Sequence, residues 1–279
     1  MCSTCGCGNA DGPMISVPHQ RHHEHSDDHG HGHGHGHGHG PGEHTHDHVH
    51  SAGTAVRSDP QESEETIVLE QKVLAKNDLL ADHNRVHMAQ HGIVAINLMS
   101  SPGAGKTTLL ERTIRSTNHR VAVIEGDQET LLDADRIAAT GARVVQVNTG
   151  AGCHLDASML QRALDQLLAE DNTLLLIENV GNLVCPALFD LGEQMKVVII
   201  SVTEGDDKPL KYPHIFAAAD LVVVNKTDLL PYVDFDMAVC ERNAHSVNPD
   251  VRIIALSARS GEGLETWLSE LDRVMPVVA

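Results

Sequence analysis

Two patterns of apolar positions organise the chain from residue 63 onward, and neither is present before it. Over residues 63–91, Ile67 and Leu74, and again Val73 and Leu80, share helical faces with few breakers between them, and Gly92 supplies a stop. A lead-in helix is expected there. Beyond it, β-rich apolar runs near 93–99, 120–124, 143–147, 173–177, 196–202, 221–225 and 252–256 alternate with helical stretches. Strand and helix in alternation predict an α/β domain: a mostly parallel sheet with helices on both faces, spanning 63–279.

Residues 1–62 offer almost nothing apolar to bury, so one globular core is expected behind a disordered, His-rich N-terminal tail. Fourteen of the 21 histidines fall within residues 19–50, including a strict His-Gly alternation from His29 to Gly40. Glycine raises the entropy lost on ordering, so the function of this tract is compositional. The formal net charge of −19 argues against nucleic acid or an anionic membrane surface as partner. No stretch approaches the roughly twenty apolar residues of a membrane span, and the polar N-terminus lacks a secretory core, so a cytoplasmic protein is expected.

After the first long strand the chain reads Ser100-Ser101-Pro102-Gly103-Ala104-Gly105-Lys106-Thr107-Thr108 and then turns helical. Strand, glycine-bearing loop and helix in that order make a phosphate-binding loop, the P-loop of NTPases. Backbone N–H groups of Gly103, Ala104, Gly105 and the residues after them turn toward phosphates, Lys106 neutralises β and γ charge, and the Thr107 hydroxyl can ligate Mg²⁺. Ser100 stands where the usual pattern has its first glycine.

Base choice is written where Val222-Val223-Val224 runs into Asn225-Lys226-Thr227-Asp228, which resembles the guanine-recognition motif of GTPases. The Asp228 carboxylate can accept from the guanine ring N–H and exocyclic amine; adenine offers neither donor and would strand a desolvated charge. Lys226 is expected over the base plane, with Ser257 and Ala258 as the second base-contacting loop. GTP is the expected nucleotide. Asp127 and Glu178 follow two strands on the phosphate side and are candidate carboxylates for Mg²⁺, or for the attacking water. Glu178-Asn179-Val180-Gly181 has the spacing of an Asp-x-x-Gly switch, with Gly181 placed to bond the γ-phosphate.

A second chemistry is metal binding. Cys153-His154 and Cys185-Pro186 lie in loops that also look like switches, and thiolate with imidazole suits Ni²⁺ or Zn²⁺. A cysteine such as Cys185 is also among the commonest core residues, the reading that Cys240 takes on the apolar side of a helical pattern. Cys2, Cys5 and Cys7 place three soft ligands near the terminal amine, which suits a compact nickel site; dithiol redox chemistry is the rival reading. His29, His31, His33, His35, His37 and His39 can hold divalent metals at neutral pH and release them as the rings protonate, or form an inert solvated tail.

Taken together, these motifs resemble the HypB hydrogenase maturation GTPases of the SIMIBI class, related to UreG. The resemblance runs over essentially the whole chain, from Cys2-x-x-Cys5-Gly6-Cys7 through the P-loop and Cys153-His154 to Glu178-Asn179-Val180-Gly181-Asn182-Leu183-Val184-Cys185-Pro186. It implies a GTP-hydrolysing nickel metallochaperone that assists nickel insertion into a [NiFe] hydrogenase large-subunit precursor, with a HypA-type metallochaperone as partner. It implies a GTP-dependent homodimer, with Cys153, His154 and Cys185 near the subunit contact holding nickel or zinc, and a high-affinity nickel site at Cys2, Cys5 and Cys7. UreG-like proteins carry Cys-Pro-His, whereas Cys185-Pro186 continues to Ala187, which argues against a urease-type maturation GTPase. Nickel storage without nucleotide dependence is the other alternative.

Overall fold

The structure, a computed structural model, describes residues 14–17, 60–127 and 132–275. Two compact units are distinguished, residues 1–19 with 71–279, and residues 20–70. Of the second, only the opening turns of one helix are described. Cys2, Cys5 and Cys7 and the His29–Gly40 tract lie outside the described residues.

The first unit is built on an eight-stranded sheet. Strands β1 (Met14–Ser16), β2 (Val94–Ser100), β3 (Val121–Asp127), β4 (Arg143–Asn148), β5 (Leu174–Gly181), β6 (Met195–Ser201), β7 (Leu221–Asn225) and β8 (Arg252–Ala255) lie in the order β1-β4-β3-β5-β2-β6-β7-β8. All neighbours are parallel except β1, which pairs antiparallel with β4 at the edge. β2 is buried along its whole length, as a central strand covered on both faces must be, and this is why it reads as apolar at every position but Asn97 and Ser100. All seven expected strands are present.

Alternate residues of the strands feed opposite faces. Ile96, Leu98, Val123, Leu176 and Val197 pack with Leu109 and Leu110 of α2 (Lys106–Ser116), Ile137 of α3 (Leu132–Ala138), and Trp267 and Leu271 of α8 (Leu264–Val274). Trp267 is fully buried, and its indole N–H donates to Thr113 Oγ1 at 2.8 Å, so no polar atom is stranded. On the other face, Ala95, Ile124, Val145 and Ile177 meet α4 (Ala157–Leu167) and Met88 of α1 (Pro60–Gln90). Farther along, Val198, Ile200 and Val222 meet Phe216 of α6 (Pro213–Ala217), after the short α5 (Lys208–Lys211), and Cys240 of α7 (Met237–Val247). Among the described residues no helix is long and apolar enough to cross a membrane.

Three local expectations change. Met14–Ser16 falls inside the expected tail yet forms β1, because Ile15 packs on the core and the strand supplies an edge partner for β4. The lead-in helix is present, but the face it turns inward is Asn77, Ala81, Asn84 and Met88, while Val73 is exposed and Leu80 half-buried. Two of those four are asparagines that hydrogen-bond the backbone carbonyls of Asp190 and Ala157, which a count of apolar positions passes over. Neither Asp127 nor Glu178 lies beyond its strand, since β3 runs on to Asp127 and β5 to Gly181.

Candidate functional site

The C-terminal ends of the parallel strands carry a cleft of about 470 Å³, lined by Pro102, Gly103, Gly105, Lys106, Thr107 and Thr108, by Glu125, Gly126, Asp127, Glu178, Asn179 and Gly181 from β3 and β5, by Asp133 and Arg136 from α3, and by Lys226. α2 begins here without a side-chain cap, its N-cap Gly105 at φ 100°, so its first N–H groups are turned to the cleft rather than to a serine or aspartate. Ser100, fully buried, accepts from the Lys106 ammonium at 2.7 Å and donates to Ser101 O at 2.6 Å. The replacement of the usual first glycine therefore gives the lysine a hydroxyl to rest on. Ser101 in turn donates to Glu204.

Facing the P-loop is a group of carboxylates. Thr107 Oγ1 donates to Glu178 Oε1 at 2.8 Å, and both residues are buried. Burial pushes the Glu178 carboxyl up to about 7, against the pull of Lys106 and Thr107. Burial pushes Glu125 up to about 8, reinforced by the negative charges of Glu178, Asp127 and Asp133. Burial also lowers the Lys106 ammonium, opposed chiefly by Glu178. Glu125 Oε2 and Glu178 Oε2 are buried atoms without a hydrogen-bond partner. Hard oxygen donors set beside a threonine hydroxyl and Asp127 fit a divalent cation such as Mg²⁺.

The residues expected to recognise the base form a corner that joins this cleft through the P-loop. Asn225, almost wholly buried, donates to Ala104 O at 2.8 Å and accepts from Lys226 N at 2.7 Å and Ala258 N at 3.0 Å. Lys226 takes a left-handed conformation and its ammonium donates to Gly103 O at 2.7 Å. Asp228 accepts from Ser257 Oγ at 2.6 Å. Ala104, Asn225, Asp228, Ser257 and Ala258 thus interlock, although none lines the cleft itself.

Cys153, His154 and Cys185 come together across two loops, their ligand atoms all within 4.8 Å of one another. The two sulfurs are 2.6 Å apart and not disulfide-bonded, and Cys153 Sγ lies 3.7 Å from His154 Nδ1. The His154 ring stacks on Phe189 at 3.8 Å between centroids, and burial holds its pKa down, opposed by Asp156, which favours the neutral, metal-binding imidazole. Asn182 Nδ2 donates to Cys153 O at 3.3 Å and Thr149 N donates to Asp127 O at 2.9 Å, tying the first loop to the second and to the end of β3. Cys240 stays in the apolar core, its thiol pushed up to about 12 by burial.

Sequence reasoning missed Glu125, Asp133, Arg136 and Asn179. Glu125 had a legible signal: an acid within an apolar strand, two residues before Asp127 and so on the same face of β3. Arg136 had none. It bonds Asp133 at 3.0 Å within α3 and Glu111 at 2.7 Å, a partner that only the packing of α2 against α3 supplies.

Residues 94–255 match the family of CobW/HypB/UreG nucleotide-binding domains. The chain is 46% identical to a hydrogenase maturation factor HypB of Escherichia coli (strain K12), covering 98% of each chain. It is 59% identical to one of Azotobacter chroococcum mcd 1, over 74% of this chain and 68% of that one. Among solved structures, HypB from Helicobacter pylori in complex with nickel superposes with a TM-score of 0.68 at 36% identity, over 73% of this chain and 99% of the other.

Proposed function

The chain belongs to the CobW/HypB/UreG nucleotide-binding family, among its HypB hydrogenase maturation factors, and from that premise we propose that it is a GTP-hydrolysing nickel metallochaperone. GTP lies with its phosphates on the amides of Gly103 to Thr108 and its guanine on Asp228. Lys106 meets the β and γ oxygens and stabilises the charge that develops as a water attacks the γ-phosphorus. Thr107, Asp127 and Glu178 would hold Mg²⁺, with Glu125 behind them; when bound, the ion neutralises phosphate charge. Arg136 brings a guanidinium to the same wall. Gly181, at the end of β5, is placed to follow the γ-phosphate.

Nickel is the cargo. Cys153, His154 and Cys185 offer two thiolates and an imidazole, a set suited to Ni²⁺ or Zn²⁺ that leaves a position for a further donor during transfer. Cys2, Cys5, Cys7 and the tract containing His29, His31, His33, His35, His37 and His39 act as further nickel ligands. A HypA-type chaperone, a second copy of the chain bound in the GTP state, and a hydrogenase large-subunit precursor complete the proposed route. The reading draws support from the nickel held by the Helicobacter pylori relative and from the maturation role of the relatives' names.

One observation carries the proposal: the nucleotide cleft and the cysteine–histidine cluster draw on three neighbouring strands, with β5 common to both. β3 lies between β4 and β5; the cluster is on the loops after β4 and β5, and the cleft draws Asp127 and Glu178 from β3 and β5. The test is phosphate release from GTP by the full chain. Lys106→Ala should abolish turnover while nickel still binds, and Cys153→Ser with Cys185→Ser should remove one nickel and leave the P-loop able to bind GDP. Turnover that survives Lys106→Ala would mean the P-loop does not act as proposed.

A further inference from the structure

A closed circuit of buried hydrogen bonds joins the nucleotide cleft to both loops of the metal cluster. It starts at Asn179, which lines the cleft and is almost wholly buried. Its Oδ1 accepts from Leu155 N at 3.1 Å, directly after His154, and from Val180 N at 3.0 Å. Its Nδ2 donates to Asn97 Oδ1 at 3.2 Å, and Asn97 Nδ2 donates to Glu193 Oε1 at 3.0 Å. Glu193 Oε2 accepts from Leu191 N at 2.8 Å, in the segment that follows the Cys185 turn. Asn84 of α1 closes the circuit, donating to Leu191 O at 3.2 Å and to Ala157 O at 2.9 Å, four residues beyond Cys153.

Asn77, two turns earlier on α1, repeats the clamp: its Oδ1 accepts from Ala157 N at 2.9 Å and its Nδ2 donates to Asp190 O at 2.7 Å. Leu155 is also wedged against β3, since a Cβ on Gly126 would lie 2.8 Å from its Cγ. Leu155 is therefore held against the Glu125–Asp127 strand end by its side chain and to Asn179 by its backbone N–H. A buried polar network in which every link has its partner has two discrete options, to move together or to leave a donor stranded.

We propose that Asn179 and Asn97 are the positioning residues through which nucleotide state reaches Cys153, His154 and Cys185, with Glu193 and the α1 asparagines holding the second loop in register with the first. Asn97 neither lines the cleft nor belongs to the cysteine–histidine cluster. It sits in the middle of β2, the strand that leads into the P-loop, and its side chain bridges Asn179 directly to Glu193. The inference rests on the chaperone reading of the two sites and names how they are connected.

Reciprocity lets the connection be read from the nucleotide side, in the full chain, despite its other metal ligands. The affinity for a fluorescent GDP is measured in excess Mg²⁺ with and without Ni²⁺, for the wild type, Cys185→Ser and Asn97→Ala. In the wild type, Ni²⁺ should change GDP affinity by about tenfold, and Cys185→Ser should abolish that change. Asn97→Ala should bind GDP without nickel to within about threefold of wild type yet lose the nickel-induced change. A wild-type-sized change in Asn97→Ala overturns the circuit while leaving the chaperone reading standing. No change in the wild type itself removes both. Should Asn97→Ala not fold, Asn84→Ala opens the same circuit at its helical side: a reduced nickel effect with unaltered metal-free GDP affinity supports the proposal, and a full effect refutes it.

Discussion

Gly105 is where the phosphate loop and the base-recognition corner constrain each other, and Gly105→Ala puts a number on that constraint. Its backbone sits at φ 100°, a conformation that costs an L-residue about 1–2 kcal/mol. A Cβ there would also lie 2.5 Å from Asn225 Nδ2. Asn225 cannot swing aside freely, because it is buried and bonds Ala104 O, Lys226 N and Ala258 N. Displacing it strands at least one buried group, worth about 1–3 kcal/mol more. The free loop relaxes out of part of this strain, whereas bound nucleotide requires the native shape, so the penalty falls mainly on binding. GDP affinity should drop by about 2–4 kcal/mol, roughly thirty- to a thousandfold. Gly103→Ala is the control: φ is 74°, yet a Cβ meets nothing within 4 Å, so only the backbone term remains. Calorimetric titration of GDP into both variants measures the difference. If Gly105→Ala binds GDP as tightly as Gly103→Ala, the clash with Asn225 is not the restraint argued here.

Further outcomes follow from the same geometry. Asp228→Asn should weaken GTP by about a hundredfold, through loss of hydrogen bonds to a charged acceptor, and improve binding of xanthosine triphosphate, whose ring presents a carbonyl there; competition binding with both nucleotides checks it. Glu125 is pushed from 4.5 up to about 8, so the folded protein takes up a proton that the unfolded chain lacks, and stability falls as pH rises between those values. At pH 7 in divalent-free buffer, Glu125→Gln should therefore gain up to about 3 kcal/mol by urea unfolding and lose Glu125's share of the slope, Glu178 keeping its own up to about pH 7; equal stability in both proteins at pH 5 and pH 8 would contradict the burial argument. In the native protein, iodoacetamide should label Cys153 and Cys185 but leave Cys240 unmodified, since burial pushes that thiol up to about 12, and nickel should protect the first two; peptide mass spectrometry reads each site.

The elements that carry nucleotide chemistry were legible because each is local. The P-loop is a single strand–turn–helix string, and Asn225 to Asp228 is four consecutive residues at the end of β7. The long apolar strands gave the parallel sheet for the same reason. What escaped depends on distant pairing. α1 turns its asparagines inward because Asp190, Leu191 and Ala157 present backbone groups there, at separations from 73 to 113 residues. β1 is three residues long and exists by virtue of the β4 edge. Cys153 and Cys185 were candidates by composition and by the loops they occupy, but their convergence on one point follows from the strand order β4-β3-β5, which the sequence does not state.

The central claim is that the two sites on β3, β4 and β5 act on each other. The direct measurement is nickel affinity, by chelator competition, of the full chain with Cys2, Cys5 and Cys7 changed to serine, loaded with GDP or with a non-hydrolysable GTP analogue, and with Cys185→Ser added to isolate the cluster's share. The account predicts a difference of about tenfold between the two nucleotides, about 1.4 kcal/mol of coupling, that disappears with Cys185→Ser. Identical nickel affinities in both nucleotide states would contradict it and leave two independent activities on one chain.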